Sequence, residues 1–423
     1  MSKHKINWPT ATGLVIANMI GTGVFSSLGF QLNAIQHPVA ILLLWVLGGL
    51  LALFGAFTYA ELGTHFQRSG GDYVFISESF HPFWGYLSAW TSMTVGFSAP
   101  VAIAALAMEA YLGPFQIPYL REMIVILILF IAWIHSLSIQ HSARFQAWTT
   151  GFKIAFILGI IGAFLWLGPA EPNGLQTEAQ WLDDIGSGGF WVALVYVTYA
   201  YTGWNAAAYI VAEIDNPRKN LPKALILGTL FVVLVYVALQ WVFLGWSPVA
   251  ALQGKADVAL VAIQPHISAS ALRWVSAGIA LQLVATMSSY QWIGPRVIHE
   301  LAKEYRIWHF LRPQSAQGIP VRAIWFQTAI ILLLLLSGTI QQVMIYSTFL
   351  LQAMGTLAVV SYLRIPAGPH RFRSPGRPYV QYFFIIFNIF AMGFLFYEKP
   401  WESTVGLGIL ALGAVTYFVS TRQ

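Results

Sequence analysis

Apolar residues in this chain gather in long blocks rather than recurring at a short period, and polar residues and prolines collect between the blocks. About twelve blocks approach the 20 residues that carry a helix across a bilayer, at roughly 10–33, 38–62, 82–112, 121–139, 146–168, 188–212, 222–246, 269–297, 320–338, 341–362, 378–397 and 403–420. Backbone polar groups must be satisfied within each segment in lipid, so runs of this length predict helices. The expectation is an all-α polytopic membrane protein forming one transmembrane domain over 1–423. The first block follows Met1-Ser-Lys-His-Lys5 without a small-residue cleavage site and reads as a retained span.

Two of the blocks are interrupted in their middle. The first contains Ile16-Ala-Asn-Met-Ile-Gly-Thr-Gly-Val-Phe-Ser-Ser27, and the sixth contains Val197-Thr-Tyr-Ala-Tyr-Thr-Gly-Trp-Asn-Ala-Ala-Ala208. Glycine costs a helix about 1 kcal/mol relative to alanine, and irregular backbone at membrane depth is tolerated only where it is buried in protein or lines a cavity. One such cluster is explained by close packing of small residues. Two, separated by five spanning elements, match an inverted five-plus-five repeat with substrate held between unwound segments near the midplane. Amides of Thr22, Gly23 and Val24 at a helix start suit a carboxylate. Carbonyls released around Met19, Ile20, Tyr199 and Ala200 suit an ammonium.

Composition agrees with a lipid-embedded chain: 57% of residues are hydrophobic, 15% aromatic and 9% charged, where soluble domains carry about a quarter charged. Of the 22 Lys and Arg, placing the N-terminus in the cytoplasm leaves Arg121, Lys255, Arg273 and Lys399 outside and Lys153 within a span, with all others inside. This asymmetry predicts cytoplasmic N- and C-termini in the plasma membrane. It also accounts for the net charge of +6 without a nucleic-acid partner, because the basic residues form no dense patch. There is no cysteine, so no thiolate metal site, thiol nucleophile or disulfide is available. The histidines are scattered, no nucleotide-binding or hydrolase motif is present, and no cofactor, metal site or enzymatic activity is expected. Glu61, Glu109, Glu213 and Glu300 lie near span ends and are expected to be solvated or ion-paired.

The segments "IGTGVF" and "YAYTGWN", followed by "AEIDNPRKNLPKA" at Ala212–Ala224, with "RSGGDYVF" at Arg68–Phe75 and "GIPVRAIW" at Gly318–Trp325, resemble the amino acid-polyamine-organocation superfamily, specifically its L-type amino-acid transporter branch and bacterial relatives. The likeness runs through nearly the whole chain. It implies a leucine-transporter-like fold of 12 transmembrane helices: repeat one at about 10–168, repeat two at about 188–362, discontinuous helices 1 and 6, and two extra helices at about 378–420. It implies sodium-independent alternating-access transport of neutral L-amino acids, with exchange of small to medium substrates as the first reading and proton-coupled symport as the alternative. A non-transporting sensor or a channel on the same scaffold is the other class, although no polar ring of a conducting pore stands out.

By the same resemblance, the carboxylate contacts fall on Gly21, Thr22 and Gly23, and the ammonium contacts on Met19, Ile20, Tyr199, Ala200 and Thr202. Tyr199 matches an aromatic that closes over substrate, and Trp204 and Asn205 match a side-chain subsite. Thr202-Gly203 stands where many relatives have two glycines, and the added bulk points to small side chains. Without cysteine, no disulfide-linked ancillary subunit is expected. Lys153, in "TTGFKIAFILGII", is the one Lys or Arg placed deep within a span, and such a residue is a functional candidate by default. The resemblance implies that it reaches the first break and the polar face of the eighth span, with Ser288 and Ser289 as neighbours, where its ammonium replaces a sodium ion.

Overall fold

The computed structural model describes residues 5–168, 181–337, 340–366 and 372–420. Among the described residues the architecture is helical throughout, with one isolated parallel bridge between Ile6 and Ile214. Ten helices are long and apolar enough to cross a membrane. The first is split into α1 (Trp8–Met19) and α2 (Gly23–Gln31). The others are α3 (Pro38–Phe66), α5 (Pro82–Leu112), α6 (Leu120–Leu137), α7 (Ile139–Leu167), α9 (Pro217–Trp246), α10 (Ala269–Glu304), α12 (Ile340–Val360), α13 (Tyr379–Glu398) and α14 (Pro400–Val419). The short α4 (Asp72–Ser79) follows α3. The sixth and ninth apolar blocks fold as shorter helices, α8 (Gly188–Ala200) and α11 (Val321–Ser337). Each of the twelve blocks therefore holds a helix, and two of those helices fall below ordinary spanning length. For α8 the cause is the interruption read in the sequence: the helix stops at Ala200.

Local chemistry sets the ends of these elements. Asn7 caps α1 through its side chain to the Thr10 amide at 3.1 Å, with Pro9 in the first turn where its missing N–H costs nothing. His37 and Pro38 start α3 in the same way, and His81 with Pro82 starts α5. Within α5 the helix widens to a π turn over Ser92–Gly96, closed by the Phe97 amide on the Ser92 carbonyl at 3.0 Å. Wide turns of this kind collect at functional sites. The "SMTVGFS" cluster in the fifth helix was the sequence signal for it, and its small and hydroxyl residues carried no expectation there.

The broken helix forms the centre of the bundle and α14 its rim. In the most apolar window of the first span 83% of residues are buried, against 17% in α14. α9 packs on α1 and α3, α10 on α5 and α7, and α8 on α2, while α13 and α14 pack on α12. Exposed aliphatic and aromatic side chains such as Trp166, Leu333 and Phe418 lie on the outer surface, where the apolar solvent of a bilayer removes the cost of their exposure.

The acidic residues near helix ends are mostly paired. Glu61 is fully buried, accepts from the Ser374 amide at 2.9 Å and hydroxyl at 2.8 Å, and pairs with Arg377 at 3.2 Å. This stitches α3 to the segment that leads into α13. Glu213 pairs with Arg296 at 2.7 Å, and Glu300 with Lys303 at 2.6 Å.

Candidate functional site

The chain leaves helical geometry at Ile20, whose ψ of 98° is extended, and resumes it at Gly23. The second break follows Ala200: Thr202 N–H turns back to the Tyr199 carbonyl at 2.9 Å, Gly203 takes a φ of +99°, and a 3-10 segment runs over Ala206–Glu213. The two breaks touch reciprocally. A Cβ on Gly23 would lie 2.6 Å from Ala200 Cα, and one on Gly203 would lie 2.7 Å from the Asn18 carbonyl carbon. Each glycine thus seats against the last turn of the other half-helix, and at Gly203 the positive φ adds a second reason for glycine. Gly21 differs, because its Cβ would meet Thr286 Cγ2 at an ordinary 3.4 Å.

Breaking a helix frees carbonyls, and here side chains from other helices accept the task of satisfying them. The Tyr236 hydroxyl on α9 reaches the Ala200 carbonyl at 3.1 Å and also bonds the Met19 carbonyl. Lys153 on α7 bonds the Ala17 carbonyl at 3.1 Å, the Ile20 carbonyl, and Thr286 Oγ1 at 2.7 Å. Thr286 in turn donates to the Ile20 carbonyl at 3.0 Å, and Tyr290 donates to the Asn18 carbonyl at 3.0 Å. At the start of α2 the first-turn amides of Gly23 and Val24 lack an intrahelical acceptor, as any helix start does.

These contacts revise two expectations. Lys153 does reach the first break and the eighth long apolar segment, but through Thr286 and not through Ser288 or Ser289. Two residues advance a helix by about 200°, so Ser288 faces away and bonds His135 Nε2 at 3.0 Å. Ser289 donates to the Thr286 carbonyl at 3.0 Å and supports Lys153 only through that residue. The second revision concerns the carbonyls of Met19, Ile20 and Ala200, which are engaged by Tyr236, Lys153 and Thr286. Tyr236 and Thr286 were not singled out from the sequence, because a tyrosine in "VLVYVALQW" and a threonine in "LVATMSS" carry no local signature.

A cavity of about 100 Å³ lies beside the second break. Thr202, Gly203, Trp204 and Asn205 line it, together with Asn18 from α1, Asp72 at the start of α4, and Ser92, Gly96 and Phe97 of the π turn. Thr348, Gln352, Phe384 and Asn388 close it from α12 and α13. Of the expected binding residues, Met19, Ile20, Gly21, Thr22, Gly23, Tyr199 and Ala200 stand at the contact between the breaks and do not line this cavity. Tyr199 packs instead with Val95, Ala99 and Met344. Trp204 lies over Gly55, edge-on to Tyr59 at 4.7 Å and near Phe384 at 6.2 Å, so it forms one wall of the cavity.

Asp72 is 4% exposed, with the Tyr59 and Tyr209 hydroxyls and the Asn205 amide acting on its carboxyl. Burial pushes that carboxyl above the ordinary carboxylate range, against the opposing effect of those hydrogen-bonding neighbours.

At the end of the bundle that bears the N-terminus, several contacts draw the broken helices together. The Ile6 amide donates to the Glu213 carbonyl at 2.8 Å, and the Asp215 amide to the Ile6 carbonyl at 2.9 Å. Arg296 holds Glu213, the Gly70 amide donates to the Tyr209 carbonyl at 3.1 Å, and Arg68 bridges Glu78 at 3.0 Å and Glu304 at 2.5 Å.

A bundle of long apolar helices with two facing breaks and a cavity beside the second of them defines an integral membrane protein. The amino acid permease family model matches residues 6–419, and the chain belongs to that family. It is 27% identical to the mouse (Mus musculus) large neutral amino acids transporter small subunit 2, over 99% of this chain and 81% of that protein. It is 25% identical to the mouse Asc-type amino acid transporter 1, over 99% of this chain and 81% of the relative. It is also 27% identical to the serine/threonine exchanger SteT of Bacillus subtilis (strain 168), over 92% of this chain and 91% of the relative.

Proposed function

We propose that this protein carries neutral L-amino acids across the plasma membrane by sodium-independent alternating access, as an exchanger of small to medium substrates. The observation that carries the reading is the reciprocal seating of Gly23 on Ala200 and Gly203 on Asn18. Two half-helices that meet in this mirrored way fit a five-plus-five inverted repeat, with repeat one at about 10–168, repeat two at about 188–362, and helices at about 378–420 added outside it. In this reading all twelve apolar segments cross the membrane and both termini are cytoplasmic. The contacts of Ile6, Arg68 and Arg296 form the inner gate.

The amides of Gly21, Thr22 and Gly23 receive the substrate carboxylate when the breaks part, and the carbonyls of Met19, Ile20, Tyr199, Ala200 and Thr202 receive its ammonium. Tyr236 holds two of those carbonyls in the closed arrangement, so ligand entry and loosening of the breaks are one event. Lys153 supplies a positive charge between the first break and α10, where a sodium ion would otherwise balance the carbonyls. Its bonding to two carbonyls and a hydroxyl, none of them a charged partner, is the feature that favours proton-coupled symport as the second reading. No disulfide-linked subunit is needed for transport.

The test is counterflow in proteoliposomes with each of the twenty amino acids, with and without pH and sodium gradients. Accumulation of neutral amino acids driven by internal substrate, indifferent to sodium, is expected. Failure to move any amino acid, or strict sodium dependence, overturns the reading.

A further inference from the structure

We propose that the cavity beside the second break accepts a neutral side chain that donates a hydrogen bond, so that amino acids bearing a hydroxyl or carboxamide are preferred and Gln352 sets that preference. The proposal rests on the reading of the chain as an amino-acid carrier and names which members of that class it favours.

The argument is an inventory of donors and acceptors. On the polar side of the cavity, Thr198 and Thr202 have already given their hydroxyl hydrogens to the carbonyls of Val195 at 2.9 Å and Tyr199 at 2.7 Å. The Gln352 amide nitrogen is given to Thr198 Oγ1 at 2.9 Å, which leaves Gln352 Oε1 without a protein partner. Asn18 repeats the pattern, with its amide nitrogen on the Leu14 carbonyl at 2.9 Å and its Oδ1 without a partner. At these four residues the donors are therefore spent, while Gln352 Oε1 and Asn18 Oδ1 remain as acceptors, and buried acceptors reward a ligand that brings an O–H or N–H.

Charge narrows the class further. Among the described residues no Lys, Arg, His or Glu lines the cavity. Its carboxyl group, Asp72, sits among the Tyr59 and Tyr209 hydroxyls and is pushed by burial toward its neutral form. A cationic side chain would find little opposite charge here, and an anionic one would find no cation. An aliphatic side chain of the same shape would leave the acceptors bare.

Isosteric pairs test this directly. Counterflow in proteoliposomes is measured for threonine against valine and asparagine against leucine, with alanine as the reference substrate. Threonine and asparagine are expected to be preferred over their apolar partners by about tenfold or more, since a site built around hydrogen bonds discriminates strongly against ligands that lack them. Gln352→Leu should reduce the threonine-to-valine ratio to about threefold or less, and Gln352→Asn should restore part of it. Equal or better transport of valine and leucine by the parent protein overturns the subsite while leaving the carrier reading intact. Absence of transport for every amino acid, alanine included, overturns both. Preference for lysine or glutamate overturns the neutral character of the cavity. Should Gln352→Leu fail to give a monodisperse protein, the parental ratios decide the matter alone.

Discussion

Lys153 Nζ lies 2.7 Å from Thr286 Oγ1, and both groups converge on the carbonyl of Ile20. One side chain from α7 and one from α10 therefore hold the end of α1 at its break. Replacing Lys153 by alanine should slow exchange turnover by about tenfold or more, in proportion to the 1.5–3 kcal/mol typical of hydrogen bonds to a charged group. The apparent substrate affinity should move by only about threefold, because Thr286 still donates to the Ile20 carbonyl at 3.0 Å and keeps it in place. Thr286→Val should reproduce a weaker form of the same defect. Initial rates and half-saturation constants in proteoliposomes separate these outcomes, and unaltered turnover in both variants would falsify the assignment.

Steric contacts at the breaks predict different tolerances for two glycines only two residues apart. Gly23→Val should abolish exchange because even its Cβ would stand 2.6 Å from Ala200 Cα. Gly21→Ala should retain substantial exchange, since its new methyl meets only the Thr286 side chain at 3.4 Å. A fully active Gly23→Val variant is the result that removes this contact from the mechanism.

Tyr236→Phe deletes a hydroxyl and leaves the carbonyls of Met19 and Ala200 without it. An unsatisfied buried polar group costs about 1–3 kcal/mol, so the variant should melt a few degrees below the parent in detergent. Adding substrate should recover more of that loss in the variant than in the parent, because the ammonium takes over the vacated carbonyls. Thermal shift measurements across a titration of substrate provide the check. Identical substrate stabilisation in both proteins would detach Tyr236 from the binding event.

The sign of the Asp72 shift gives a pH prediction. Burial raises its carboxyl above the ordinary value of 3.8, so between the two values the native state holds a proton that the unfolded chain has released. Stability from this group is complete below 3.8 and declines as pH rises toward the folded value. Asp72→Asn should therefore gain stability relative to the parent as pH is increased above that range, with the difference vanishing in acid. Melting curves taken at several pH values will show it, and a difference that grows toward acid contradicts the sign.

Arg296 and Glu213, 2.7 Å apart, belong to the proposed inner gate. The chain contains no cysteine, so a single cysteine placed at Ser92 in the cavity wall reports access without background. Glu213→Gln should raise the rate at which that cysteine is modified by a small polar maleimide from the inner side. An unchanged rate would show that the pair does not guard the cavity.

The helical plan and both interruptions were legible in the sequence because each is written in adjacent residues: long apolar blocks for the helices, and Gly21-Thr-Gly23 and Thr202-Gly203 for the breaks. The identity of the groups that heal the breaks was not. Tyr236, Thr286 and Tyr290 meet carbonyls more than thirty residues away in the chain, and their placement depends on the rotation of α9 and α10. Ser288 and Ser289 stood out as the more polar pair, yet helical phase turned Ser288 toward His135. The cavity was legible only on one side, where Thr202–Asn205 supply a wall. Asp72, Gln352 and Asn388 reach it by tertiary packing, and no local motif reveals such a convergence.

Phe384 and Asn388 belong to α13, which lies outside the two proposed repeats, yet both help to enclose the cavity. Under the proposed transport cycle, mutations accumulating in that helix would reshape cargo preference while sparing the two backbone breaks. Divergence in diet between descendants of one ancestral carrier then has a place to be recorded, at a distance from the parts whose alteration would stop the machine.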